Sequence, residues 1–337
     1  MAPVKSPAID MHAHALIGAA EDIAREHERW RREAQEAARL SGKESAEHNR
    51  RLMQTAYLAG LTRVEARLAT MDAMGIDLQA LSPVPMQYHY WAEGDVAEKI
   101  VTAANEGIAA ICASRPERFV GLGTVAMQIP ELAAKQLAHA MTKLHLKGVI
   151  ISTAVNGAEL ADPRFEVFWS KAEELGAVVF IHPMGCSLGA RLTPYYLSNV
   201  IGNPAETTVA LAHLIFSGTF DRHPRLKVVA AHGGGYFPFY TARFDHGWRV
   251  RPEAHTCAAA PSSYLKKIWF DSLVYEPTQL EYLIRRAGPS NVVLGTDFPF
   301  DMGMDDPLGI LNSVAGLSDE DRALIRGGNA SRLLALD

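Results

Sequence analysis

Short apolar runs rich in β-branched residues alternate with longer stretches whose apolar positions recur at helical spacing, from residue 8 to the end of the chain. Such alternation builds parallel strands joined by helical crossovers. Eight runs stand out, over residues 8–14, 77–84, 119–125, 148–152, 177–182, 226–232, 268–272 and 291–297. Several are apolar without interruption, Val178-Val179-Phe180-Ile181 and Val228-Val229-Ala230-Ala231 among them, as strands covered on both faces require. The intervals 63–74, 97–113, 130–144, 163–175, 204–216, 278–287 and 318–334 read as helices. Gly75, Gly176 and Gly288 stand where left-handed caps would end three of them, and Asp319 and Asp321 load the start of the last, favourably for its dipole. The pattern predicts an α/β chain folded as a (β/α)8 TIM barrel, one domain over residues 1–337.

Residues 19–61 break the rhythm. Ile23, Trp30, Ala34, Ala37 and Ala38 recur at helical spacing among charged residues, which predicts one or two amphipathic helices inserted after the first strand. Such an insertion serves as a lid or a subunit contact, or is a plain solvated excursion.

Composition narrows the function. With 48% hydrophobic and 21% charged residues, disordered, collagen-like and coiled-coil classes are excluded. Lys and Arg total 33 against 38 Asp and Glu, a net charge of −5, and no basic run exceeds pairs such as Arg31-Arg32. Nucleic acid and anionic membranes are therefore poor partners. The uncharged stretch 175–190 contains His182 and Pro183 and is shorter than the roughly 20 apolar residues of a spanning helix. Asp10 and His12 precede any apolar run, unlike a secretory signal. Cys112, Cys186 and Cys257 are odd in number and widely spaced, which fits a reducing cytoplasm and thiols that pack or lie idle.

The chemistry sits at the ends of the apolar runs. His12-Ala13-His14 closes the first, His182 and His232 follow the fifth and sixth, and Asp297 closes the eighth. Active sites of barrels lie at the C-terminal ends of the strands, and alternate strand residues share a face, so both imidazoles of the H-x-H pair point to one place. Any one of these residues alone is equally well explained as a turn cap. Five at matching positions argue for a shared catalytic metal. Imidazole and carboxylate donors suit Zn2+ and tolerate Mn2+, Co2+ or Fe2+. Binuclear centres in such barrels normally need a bridging carboxylate or modified lysine at the end of strand four, where this chain has Ser152, and Lys147 stands at the wrong end. One ion per chain is favoured; if His12, His14, His182 and Asp297 hold it, His232 is left to exchange protons and activate water on the metal. Gly233-Gly234-Gly235 lacks the Lys-Ser/Thr of a phosphate loop and is read as letting backbone approach the metal. Met71, Met74, Met86 and the aromatic run Tyr236, Phe237, Phe239 and Tyr240 are read as core packing, and Phe298 and Phe300 as pocket or core.

These stretches resemble the amidohydrolase superfamily, in the branch typified by 2-amino-3-carboxymuconate 6-semialdehyde decarboxylase. The shared segments are Ile9-Asp10-Met11-His12-Ala13-His14, Ala80-Leu81-Ser82-Pro83-Val84-Pro85 with Tyr90-Trp91-Ala92, and Arg118-Phe119-Val120-Gly121-Leu122-Gly123-Thr124. Pro204-Ala205-Glu206-Thr207-Thr208, Ala231-His232-Gly233-Gly234-Gly235 and Leu294-Gly295-Thr296-Asp297-Phe298-Pro299-Phe300 complete them. The resemblance implies a zinc-dependent, non-oxidative decarboxylase of an unsaturated or aromatic carboxylic acid, in aromatic-compound catabolism, with His232 and Asp297 catalytic and the protein a homodimer. It also implies that Arg243 binds a substrate carboxylate across the subunit interface, with Arg191 a second such candidate and Trp91 and Phe300 as further substrate contacts. The chain departs from that branch at Met184-Gly185, which replaces Trp-Asp, and at Tyr195 and Asn199, which replace Trp. Its charged insertion stands where the branch has a small β-rich insert with basic substrate-binding residues, a role open to Lys43, Arg50 or Arg51. Two other functions stay open at this point: a metal-dependent hydrolase or hydratase of a lactone, amide or ring-cleavage product, and a non-catalytic scaffold.

Overall fold

In the computed structural model, residues 6–336 are described. Each of the eight predicted runs carries a strand: β1 (Ile9–Ala15), β2 (Leu78–Pro83), β3 (Phe119–Gly121), β4 (Gly148–Ile151), β5 (Val178–Ile181), β6 (Lys227–Ala230), β7 (Ile268–Asp271) and β8 (Val292–Val293). All neighbours pair in parallel, in the orders β1-β2-β3 and β4-β5-β6-β7-β8. Two parallel bridges join these sheets, Gly123 with Val149 between β3 and β4, and Ala13 with Phe298 beside β1. At the second seam Met11 N donates to Leu294 O at 2.9 Å, Asp297 N to His12 O at 2.7 Å and His14 N to Phe298 O at 2.8 Å. The sheet is thereby closed into the predicted (β/α)8 barrel, whose eight strands are each paired on both sides. The continuous apolar runs are buried throughout: every residue of β4 and β5 is at most 1% exposed, apart from Gly148, which is also buried.

The insertion folds as four helices instead of one or two: α1 (Gly18–Arg25), α2 (Glu28–Ser41), α3 (Lys43–Leu52) and α4 (Ala56–Thr62), followed by α5 (Val64–Met74). Gly42, at φ +85°, breaks α2 from α3, and Thr55 caps α4 by accepting from Tyr57 N. Ala20 and Ala24 of α1 are buried, whereas α2 and α3 bury no side chain. The stripe Ala34, Ala37, Ala38 is thus exposed, and only Ile23 and Trp30 of the predicted apolar face pack on the core.

Three further expectations are corrected. Residues 318–334 form two short helices, Asp319–Ala323 and Asn329–Leu334, with a wider π-turn over Leu324–Gly328; a Cβ on Gly327 would come within 2.0 Å of Pro7 O, so the chain runs hard against the start of β1. Gly75 and Gly176 adopt left-handed caps, but Gly288 is at φ 88°, ψ 148°, because Pro289 pushes the residue before it out of the helical region. Met86, Tyr236 and Tyr240 are exposed. Tyr236 and Tyr240 are four residues apart and share the outer face at the start of the helix Phe237–Val250, whose inner face carries Phe237 and Thr241. Met71, Met74 and Phe237 are core as expected, the three cysteines are free, and among the described residues no helix is long and apolar enough to cross a membrane.

Candidate metal centre and active site

Strand β1 turns Asp10, His12 and His14 into the barrel at alternate positions, all essentially inaccessible. Its pairing with β2 shifts register between Asp10 and Ala13, an irregularity of the kind that re-aims side chains beside active sites. The Nε2 atoms of His12 and His14 come to 3.2 Å from each other. Asp297 Oδ1 lies 3.2 Å from His12 Nε2, 3.1 Å from His14 Nε2 and 3.9 Å from His182 Nε2, and its Oδ2 lies 3.6 Å from His232 Nε2. One donor atom from each of His12, His182, His232 and Asp297 lies within 4.8 Å of all the others. The five residues singled out from the sequence therefore meet at the C-terminal mouth of the barrel, with the ring of Phe180 from β5 beneath them, 4.9 Å from His12.

Two turns bring the last of these residues in. His232 and Asp297 sit in left-handed backbone, at φ +55° and +58°, a conformation uncommon outside glycine and often found at functional sites. Gly295 carries no side chain because a Cβ there would stand 2.8 Å from Asp271 Cβ and 3.0 Å from His12 Cβ. The expectation for Gly233-Gly234-Gly235 is corrected. Side chains there would strike Val274 and Phe270 at 2.5 Å and Pro204 O at 2.1 Å, so the glycines admit neighbouring protein and not a metal.

The far side of each ring decides which nitrogen faces the centre. His12 Nδ1 is 2.6 Å from Asp271 Oδ2, His14 Nδ1 is 3.1 Å from Ser82 Oγ, and His182 Nδ1 is 2.8 Å from Pro183 O. Each leaves Nε2 turned inward. Asp271 also accepts from His232 N at 3.0 Å and Gly233 N at 2.7 Å, so one buried carboxylate aims the first histidine and pins the turn that carries the last. It is the main residue that the sequence reading missed. Its signal was its place at the end of the seventh run, where a carboxylate is as eligible as at the eighth.

The donor set fits a divalent cation. His182 Nε2, His232 Nδ1 and Asp297 Oδ1 are buried with no hydrogen-bond partner among the described residues, a costly condition for polar atoms unless something else satisfies them. Burial opposes charge on His12, yet the Asp297 charge and the bond to Asp271 hold its pKa up at about 10. Burial is also against Asp297, and His12, followed by the other imidazoles, keeps it well below the usual carboxylate range. Burial pushes His14 down, and burial with its neighbouring imidazoles pushes His182 well down. The ligand forms required of a metal site, neutral imidazole and carboxylate, are thus favoured at His14, His182 and Asp297, and the raised pKa of His12 marks the pull of Asp297 and Asp271 on a positive charge at the point where the donors converge.

The remaining predicted residues are more scattered. Phe300 lies with its ring 5.3 Å from His14 and 5.9 Å from Tyr57 of α4, so the insertion reaches the mouth. Trp91 is buried against His89 and His27. Arg191 and Arg243 are exposed and make no side-chain hydrogen bond or ion pair among the described residues. Lys147, at the opposite end of the barrel, donates to Ala335 O at 3.3 Å.

The pattern of the amidohydrolase family matches residues 9–336. A 2-amino-3-carboxymuconate-6-semialdehyde decarboxylase of Dictyostelium discoideum is 38% identical over 277 residues, covering 81% of this chain and 77% of its own. Among solved structures, the 5-carboxyvanillate decarboxylase of Sphingomonas paucimobilis superposes with a TM-score of 0.85 at 26% identity, covering 98% of this chain and 99% of its own. The corresponding enzyme of Novosphingobium aromaticivorans, solved with manganese and 4-hydroxy-3-methoxy-5-nitrobenzoic acid, gives 0.85 at 24% identity, over 98% and 96%. With a relative this similar over four-fifths of its length, and a family pattern that spans nearly all of it, the chain belongs to the amidohydrolase family.

Proposed function

We propose that this protein is a metal-dependent, non-oxidative decarboxylase of an unsaturated or aromatic carboxylic acid, in which His12, His14, His182 and Asp297 hold one divalent ion and His232 moves the proton. The convergence of the donor atoms of all five residues at the barrel mouth carries the reading. The names of the relatives supply the reaction class. Zinc and manganese both suit nitrogen and oxygen donors without thiolate.

When bound, the ion supplies a fixed positive charge that draws the substrate's oxygens into place and stabilises the electron pair left as CO2 departs. The protein's part is orientation and proton delivery. Asp271, Ser82 and Pro183 O hold three imidazoles with Nε2 inward. His232 stands at the rim of the cluster on a turn fixed by Asp271. As the bond between the ring carbon and the carboxylate breaks, the carbon keeps the electron pair and takes a proton from His232, which water then reprotonates. Phe300 offers an aromatic wall beside His14, and Trp91, packed on His27 and His89, is the second aromatic substrate contact of this reading. Arg243 and Arg191, exposed on this chain, meet a substrate carboxylate in a homodimer, where a second copy presents Arg243 to the site; the Arg fork pairs two oxygens at once. Residues 19–61 act as the lid or the subunit contact of this single barrel domain, at work in the cytoplasm.

The test is a set of carboxylic acids, hydroxybenzoates and acidic ring-cleavage products, assayed for CO2 release with the metal counted by mass spectrometry. His232→Ala retains one ion per chain and loses at least about 100-fold in turnover, the scale of a general acid. Loss of the metal in that variant makes His232 a ligand instead. Addition of water to the substrate without CO2 marks a hydrolase or hydratase.

A further inference from the structure

Arg67 of α5 is only 2% exposed, yet among the described residues its guanidinium is met by amide and carbonyl groups and not by a carboxylate. Nη1 donates to Gln79 Oε1 at 2.8 Å, Nη2 donates to His14 O and, at 2.9 Å, to Gly60 O, and the group lies 4.9 Å from the centre of the Phe298 ring. Gln79 passes the contact on, donating to Asp10 Oδ2 at 2.8 Å. Asp10, fully buried, accepts from His12 N at 3.0 Å, Thr296 N at 3.1 Å and Thr296 Oγ1 at 2.6 Å. One cation therefore ties together the backbone of His12 and His14, the residue before Asp297, and Gly60 at the end of the insertion. The insertion's seat is tight there: a Cβ on Gly60 would stand 3.0 Å from Pro299 and 3.1 Å from Phe298, and Leu61 O accepts from Leu16 N at 3.0 Å.

Burying a guanidinium is costly, and an apolar side chain of similar volume would serve stability alone at lower cost. We propose that Arg67 is a positioning residue that couples the seating of the inserted helices to the grip of the metal ligands. Its Nη2 holds the insertion and the His14 peptide together, so a shift of α4 that pulls Gly60 away also tilts the peptide from which His14 projects. Coupling of this kind is reciprocal: a bound ion tightens the insertion to the degree that the seated insertion tightens the ion. The inference rests on the metal-centre reading and is independent of the substrate.

The full-length protein, stripped of metal, is titrated with Mn2+ or Zn2+ against a chelating dye, and the rate of proteolysis within residues 28–52 is measured with and without the ion. In the wild type, metal slows the cleavage. Arg67→Met weakens metal binding about 10- to 100-fold, the range for residues that orient ligands, and removes the metal-dependent slowing. Arg67→Lys keeps the charge without the planar fork and falls between the two. Wild-type affinity and undiminished protection in a folded Met variant overturn the proposal, as does metal binding by the wild type with no effect on cleavage. If the Met variant fails to fold, Arg67→Lys and Gln79→Leu, which removes the Nη1 bond and the branch to Asp10 but leaves the Nη2 bonds to His14 O and Gly60 O, give the reading; wild-type affinity in both overturns it. A wild-type chain that takes up no metal overturns the metal centre itself.

Discussion

Asp271 shows how much of this centre depends on a residue buried behind it. Its two oxygens accept from His12 Nδ1, His232 N, Gly233 N and Leu273 N. Asp271→Asn preserves the volume but sets an N–H against groups that are themselves donors. It should weaken metal binding about 10- to 100-fold, read by chelator competition, with the barrel still folded by circular dichroism; unchanged affinity would remove Asp271 from the account. The five residues at the mouth were legible in the sequence because each ends an apolar run, and strand ends are where barrel chemistry lies. Asp271, Asp10 and Arg67 were not. Asp10 precedes its run's end by several residues, and Arg67 sits in a helical interval where an arginine reads as surface. Only the register that sets Asp10 against Gln79 shows that the two buried charges belong to one network.

At the scale of elements, β4 and β5 approach each other closely. Gly148 pairs with Val178 in register, and a Cβ on it would lie 1.9 Å from Val178 O, a clash with backbone that no rotamer relieves. Gly148→Ala should therefore cost upwards of about 3 kcal/mol, at or beyond the usual range for overpacking, seen as a lower denaturation midpoint or loss of soluble protein. The insertion has a weaker tie. Glu21 of α1 accepts from Trp30 Nε1 at 2.9 Å and faces His89 Nε2 at 3.6 Å and Arg25. Burial opposes its charge, but His89 leads the groups that hold its pKa below the ordinary 4.5. A carboxyl depressed in the folded state stabilises it above its unfolded pKa and loses that contribution as pH falls through the lower, folded value. Acid below about pH 4.5 should loosen α1 and α2 before the barrel melts, reported by Trp30 fluorescence preceding the loss of helix signal. The helical character of residues 19–61 was readable from spacing, whereas the number of helices was not, since it turns on Gly42 and Thr55. The exposure of α2 and α3 could not be read either, because an alanine stripe looks the same whether or not anything covers it.

For the whole molecule, a ligand that binds only the folded state stabilises it in proportion to the logarithm of its excess over Kd. At 100-fold excess the gain is about 2.7 kcal/mol. Metal removal should thus lower the melting temperature by several degrees, restored by Zn2+ or Mn2+ and not by Mg2+, whose preference is for oxygen donors; an unchanged melting curve would argue against a bound ion. The closed barrel itself was legible, since eight apolar runs alternating with helices admit few other architectures. The seam between β1 and the end of β8 carries a consequence for assembly. The groups it joins, such as Thr296 N and Asp10 Oδ1, are 286 residues apart in sequence, and contacts between such distant parts of a chain form late and slowly, because loop closure must precede any reward. The residues proposed to hold the ion should therefore be among the last to meet on refolding. An ion supplied from the start should hold that final junction shut once it forms, and slow its reopening more than it hastens its formation.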